Sequence, residues 1–94
     1  MPPQNPVNRA SAEAIALRAL GFLTSDEERL ARFLDVSGLR PETVRGAAAS
    51  PDFLAGVLDY IVSEDALIVD FAAEAALEPE RVMAAKYALS PVLE

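Results

Sequence analysis

The residues in this sequence that could exchange a proton or bind a metal ion are adjacent carboxylates. Asp26, Glu27 and Glu28 follow one another, and Glu64 stands beside Asp65. Neighbouring acids can share a proton or bind a hard cation. Both groups also begin predicted helices, where carboxylates cap free amides and complement the positive end of the helix dipole. Neither has the residue spacing of a calcium loop, so we predict no metal site.

The chain lacks the side chains that nucleophilic and general-base catalysis usually require. The chain of 94 residues contains no histidine and no cysteine, and Lys86 is its one lysine. A serine or threonine nucleophile would therefore have no evident base, and thiolate chemistry is excluded. The 4 glycines are isolated and form no phosphate-binding loop. We predict that the protein is not an enzyme and binds no cofactor.

A helix-turn-helix is the alternative that the arginines allow. Gly38 would form the turn, and a second helix would present Arg40 and Arg45 to a nucleic-acid groove. Two helices joined by an ordinary turn, without a role in nucleic-acid binding, would have the same sequence pattern. The formal net charge of -7 opposes phosphate binding, because affinity for nucleic acid comes from clustered basic side chains. Nucleic-acid binding through these two arginines is kept as the alternative function.

Helix-start signals and apolar spacings of three and four predict an all-α fold of six short helices without strands. The first helix is expected to run from Ser11 to Leu23. Ser25 is expected to begin the second in a capping box with Glu28, and Gly38 to end it. The remaining helices are expected to begin at the following residues: Pro41, Pro51, Ser63 and Pro79.

These elements predict one helical domain, residues 11–89, between a flexible proline-rich arm at 1–10 and a short tail at 90–94. No apolar run is long enough to span a membrane, and none resembles a signal peptide, so we expect a soluble cytoplasmic protein. The predicted core consists of nine large apolar residues: Leu20, Phe22, Leu30, Phe33, Leu54, Leu58, Ile61, Ile68 and Phe71.

The chain aligns with itself at an offset of 38 residues without a gap. This offset places Pro41 on Pro79, and it also pairs four of the six aromatic residues: Phe22 with Tyr60, and Phe33 with Phe71. Generic helix-start residues alone would not place the aromatic residues in register. We therefore predict two similar three-helix halves that pack around an approximate two-fold axis.

The fifth predicted helix differs from its counterpart, the second, because it is apolar almost all round, with a polar strip of only Asp70 and Glu74. One interpretation is a central helix buried by the others. The other is a partner surface, used for self-association or for a second protein. The candidate interface residues are Tyr60, Leu67, Val69 and Tyr87.

Four groups of residues have a distinctive combination of sequences: Ala12–Leu17 with Phe22 and Leu23, DEERLARFL at 26–34, Gly38–Glu42, and 51–62. Together these segments resemble the bacterial DUF3572 family, whose members have no assigned activity. Relatives often have proline at the position of Glu27, which affects only a helix start. The resemblance implies a small, soluble, all-helical cytoplasmic protein, and it transfers no site residue.

The function that these observations favour is a small acidic helical module for protein interaction or regulation, without catalysis. Its partner would be an unknown protein or a second copy of the chain. The helix-turn-helix nucleic-acid binder remains the alternative.

Overall fold

The computed structural model describes residues 8–47 and 50–89 of the chain. Within these ranges the chain forms helices joined by short turns and no strand, as predicted. The helices are α1 Arg9–Thr24, α2 Glu27–Ser37, α3 Pro41–Ala47, α4 Pro51–Val62, α5 Asp65–Ala75 and α6 Pro79–Leu89. None of the helices in the described ranges is long and apolar enough to cross a membrane.

Helix α1 begins before the predicted Ser11. Asn8 is its N-cap, and the Asn8 side chain accepts a hydrogen bond from the Ser11 amide at 2.8 Å. Residues 9 and 10, which the sequence assigned to the flexible arm, are therefore helical. Residues 1–7 of that arm and the tail at 90–94 lie outside the described residues.

The predicted capping box at Ser25 is wrong. Asp26 is the N-cap of α2, and its Oδ1 accepts from the Glu28 amide at 2.8 Å. Ser25 instead closes α1, where its hydroxyl donates to the Phe22 carbonyl at 2.9 Å. The same correction applies to Ser63, because Glu64 is the N-cap of α5.

Two other predicted boundaries are confirmed. Ser50 caps α4 through a hydrogen bond from the Phe53 amide at 3.4 Å, and Pro51 is the first residue of that helix. Gly38 ends α2 with φ at 74°, the left-handed conformation that a residue without Cβ adopts at least cost.

Helices α1, α4 and α6 form the centre of the bundle, because they pack most extensively against one another. Six of the nine predicted core residues are buried, and Leu20, Leu30 and Ile68 are only half-buried. The interpretation of the fifth helix as the central one is wrong. Helix α5 lies at the side of the bundle and buries only Phe71, Ala72 and Ala75.

The two halves repeat at the predicted offset. Helices α2 and α5 begin and end 38 residues apart, as do the ends of α1 and α4 and the starts of α3 and α6. Their aromatic contacts are also reciprocal. The ring centroids of Phe22 and Phe71 are 5.5 Å apart, and those of Tyr60 and Phe33, at the exchanged positions, are 5.1 Å apart. This exchange of partners fits an approximate two-fold relation between the α1–α2 and α4–α5 pairs. The prediction of two similar three-helix halves is wrong for the third helices, because α6 packs against both α1 and α4, whereas α3 makes no comparable contact among the described residues and buries only Val44.

Candidate protein interface

The adjacent carboxylates lie in the first turns of helices, where the sequence placed them. Asp26 caps α2, and Glu27 and Glu28 follow it in the first turn. The described ranges contain no group of three or more acidic residues placed to hold a metal ion. No polar or charged side chain is buried within those ranges. Because the described interior holds no polar or charged side chain, a candidate functional site has to be sought on the surface.

The outer face of α5 is apolar and has no packing partner in the bundle. At 100° per residue Ala66, Val69 and Ala73 lie within an arc of about 60°, opposite the buried Phe71. All three are exposed, and Val69 is 57% exposed. We call Ala66, Val69 and Ala73 the α5 stripe. Its exposure follows from the position of α5 at the side of the bundle.

Carboxylates border the α5 stripe on both sides. Asp65 lies on one edge, and Asp70 and Glu74 lie on the other. All three are exposed, and none takes part in the ion pairs found within residues 8–47 and 50–89. The stripe is therefore an apolar strip between two negative edges.

A shallow groove runs beside the stripe, between α5 and α2. The smaller of its two cavities, of about 250 Å³, is lined by residues of both helices, of the end of α4 and of the segment that joins α4 to α5: Glu28, Arg29, Arg32, Tyr60, Glu64, Ala66, Leu67 and Asp70. A second open cavity of about 420 Å³ continues it, since both cavities share Arg29 and Asp70. We call these joined cavities the α2–α5 groove.

The basic wall of the α2–α5 groove is held by contacts with the rest of the bundle. The Arg29 guanidinium carbon lies 4.0 Å from the centroid of the Phe22 ring, and Arg29 Nη1 donates to the Phe22 carbonyl at 3.4 Å. Arg32 Nη2 lies 3.0 Å from Glu64 Oε2, an ion pair that joins the two halves. Both arginines thus have partners within the molecule.

Tyr60 lines the α2–α5 groove and is half-buried. Burial raises the pKa of its hydroxyl, and the negative charge of Glu64 raises it further, while Arg32 opposes the shift. Because both larger effects favour the neutral form, Tyr60 is an uncharged phenol at physiological pH. It offers the groove an aromatic face and a hydroxyl group.

The four predicted interface residues do not form one surface. Tyr60 and Leu67 line the α2–α5 groove, and Val69 lies on the neighbouring α5 stripe. Tyr87 is 63% exposed but lies on α6, where the Lys86 ammonium is 5.0 Å from the centroid of its ring. Sequence reasoning overlooked Ala66 and Ala73, because alanine fits both a buried and an exposed helix face; a helical projection centred on Val69 would have found them.

The arginines of the alternative function lie at the other end of the first half. Arg40 directly precedes α3 and Arg45 is in its last turn, and both are exposed. Helix α3 has only 7 residues, of which Val44 alone is buried. An open, mostly apolar cavity of about 220 Å³ lies at this corner, lined by Thr24, Leu30, Pro41, Val44 and Arg45.

Charge is divided unequally between the halves. Residues 1–47 contain six arginines and six carboxylates, whereas residues 50–89 contain eight carboxylates and two basic side chains. The negative charge of the protein is therefore concentrated in the half that carries the α5 stripe.

A family model described as protein of unknown function (DUF3572) matches residues 9–92, nearly the whole chain. The protein belongs to this family, as the resemblance of its helical segments predicted. Neither the curated proteins nor the solved structures include a match to the chain.

Proposed function

We propose that the protein is a non-catalytic protein-interaction module that binds a helical segment of another protein through the α5 stripe. The observation that carries the proposal is the exposure of Val69 between Ala66 and Ala73, on a helix whose opposite face is packed in the bundle. Exposed apolar surface bordered by polar residues is typical of interaction sites.

The other half of the molecule supports this interpretation. The 38-residue offset places Ala66 at the position of Glu28 and Ala73 at the position of Asp35. Glu28 and Asp35 are exposed on α2, as their counterparts are on α5. The third position, that of Val69, is Ala31 in the first half. Because two of the three positions are polar and the third is small in one half, the fold itself does not require an apolar face. A partner that covers the α5 stripe would account for the difference.

The distribution of ionisable groups favours a role without catalysis. A general acid or base that works near neutral pH is usually shifted by burial or by a charged neighbour. The charged side chains in the described ranges are all at least partly exposed, and their ion pairs are those of surface residues.

A cytoplasmic location, expected from the sequence, is part of the proposal and can be tested by cell fractionation.

Two matched variants test the proposal in cells of the native host. Val69→Asp places a charge on the α5 stripe, and Val36→Asp places the same charge on α2, where Val36 is 65% exposed. We expect affinity capture to recover a partner with the wild type and with Val36→Asp, but not with Val69→Asp. A photo-crosslinking residue at Ala73 should form a covalent adduct with the same partner.

Circular dichroism should show equal helix content in both variants, because each aspartate would be exposed. Equal capture by Val69→Asp and Val36→Asp, with no adduct at position 73, would contradict the proposal.

A further inference from the structure

We propose that the segment bound by the α5 stripe is a cationic amphipathic helix. This inference rests on the proposed function and specifies the chemistry of its partner. An apolar row on the incoming helix would contact Val69, and lysine or arginine side chains on both sides of that row would meet the bordering carboxylates.

The shape of the stripe suits a helix. Ala66 and Ala73 leave shallow positions on either side of the larger Val69, and small side chains let two helix axes approach within about 8–10 Å. Helix α5 has 11 residues, so it is about 16 Å long and can contact about three turns of a partner. Apolar residues at three- and four-residue intervals would form the complementary row.

The charges determine which kind of helix fits. Asp65 lies on one edge of the stripe, and Asp70 and Glu74 lie on the other, so basic side chains on both flanks of the partner would be matched. Helix α5 contains no basic side chain. Arg18 and Arg29 line cavities beside Glu74 and Asp70, but the ion pairs found among the described residues do not include these two carboxylates. The eight carboxylates of residues 50–89 would also attract a cationic segment before contact.

The same charges disfavour a second copy of the chain at this surface. In a symmetric dimer the same patch meets itself, so the α5 stripes would bring two sets of these carboxylates together. Like charges placed across an interface oppose association. The stripe therefore fits a cationic partner better than self-association.

Two synthetic helical peptides provide the probes. They share one row of leucine and alanine at helical spacing, and lysines flank the row in one peptide and glutamates in the other. Fluorescence anisotropy with the full chain measures the Kd of each. We expect the lysine peptide to bind at least about tenfold more tightly than the glutamate peptide, with an advantage that shrinks as salt increases.

Two triple variants separate the local effect from net charge. The first removes the bordering carboxylates by Asp65→Asn, Asp70→Asn and Glu74→Gln. The second makes the same change in net charge in the first half, away from the groove, by Glu27→Gln, Asp35→Asn and Glu42→Gln. We expect the first variant to weaken binding of the lysine peptide about fivefold to tenfold, as three exposed ion pairs would, and the second to weaken it less than about twofold.

The outcomes distinguish this inference from the proposed function. Equal binding of both peptides, abolished by Val69→Asp, would overturn the charge preference and leave the α5 stripe as an interaction surface. Failure of the lysine peptide to bind at about 1 mM, or equal weakening by both triple variants, would overturn the cationic helix. The crosslink at Ala73 would still decide whether another kind of protein binds there.

Discussion

The ends of α2 and α5 place different residues in the same backbone conformation. Gly38 follows α2 with φ at 74°, and Ala76, its counterpart in the repeat, follows α5 with φ at 57° and ψ at 42°. At the end of α5 the Leu77 amide donates to the Ala72 carbonyl at 2.8 Å, so this helix end is a Schellman motif. Glycine is the usual residue at this position, so Ala76 is in a strained conformation that Ala76→Gly should relieve.

The size of the effect follows from two opposing contributions. The left-handed conformation costs an L-residue about 1–2 kcal/mol. Glycine loses more freedom when the chain folds, which offsets about 0.4–1 kcal/mol of that gain. We therefore expect Ala76→Gly to raise the free energy of unfolding by about 0.5–1 kcal/mol. Gly38→Ala should lower it by a similar amount, because a Cβ at Gly38 meets no atom within 4 Å and only the backbone strain remains.

Thermal and urea unfolding followed by circular dichroism measure both changes. For a domain of this size the expected shift is about 2–8 °C in Tm, upward for Ala76→Gly and downward for Gly38→Ala. Ala31→Gly is the control, since Ala31 is exposed inside α2, and glycine there should cost about 1 kcal/mol. A fall in Tm for Ala76→Gly comparable to that of the control would refute the reasoning.

Three further outcomes follow from the surface of the protein. Burial and Glu64 raise the pKa of Tyr60. The folded state therefore holds this proton more tightly than the unfolded chain, and the resulting stability, present at about pH 9, should be lost as the pH rises through the raised pKa. Urea unfolding at about pH 9 to 11 should show a smaller loss for Tyr60→Phe, and equal losses in both proteins would contradict this assignment. The wild type should pass through heparin at about 0.1 M salt; retention that disappears in Arg40→Glu with Arg45→Glu would instead support the nucleic-acid alternative. Sedimentation equilibrium should show a monomer up to about 1 mM, whereas a dimer abolished by Val69→Asp would assign the α5 stripe to self-association.

Helix positions could be predicted from the sequence more closely than the residues that cap them. Ser25 and Ser63 each precede acidic residues, so two adjacent positions offer a side-chain acceptor for the first turn. A serine hydroxyl can also donate, which a carboxylate cannot do. The hydroxyls of Ser25 and Ser63 donate to carbonyls at the ends of α1 and α4, and the following acid becomes the N-cap. The Asp26 side chain caps α2, whereas the Glu64 side chain forms no cap hydrogen bond and pairs with Arg32 instead. Local sequence cannot distinguish these arrangements, because the Glu64–Arg32 pair depends on a residue 32 positions away.

The surroundings of α5 could not be predicted for a different reason. A helix that is apolar all round is usually buried, and the sequence of α5 fits that rule. Much of its apolar character comes from alanine, which buries little surface and is therefore weakly constrained to the interior. Helices α1, α4 and α6 already fill the centre of the bundle, so only one face of α5 is needed to complete the core. Which helix is central depends on the tertiary arrangement, and the pattern within α5 does not contain that information.

The two-fold relation between the α1–α2 and α4–α5 pairs explains why the differences between α2 and α5 lie on their outer faces. The reciprocal contacts of Phe22 with Phe71 and of Phe33 with Tyr60 require the same inner faces in both halves. The outer faces carry no such requirement, and there the offset pairs Arg32 with Asp70. The α2–α5 groove consequently has a basic wall and an acidic wall, even though it lies between equivalent helices. A cationic segment therefore meets more net negative charge on α5, which has three carboxylates and no basic side chain, than on α2, where Arg29 and Arg32 accompany three carboxylates.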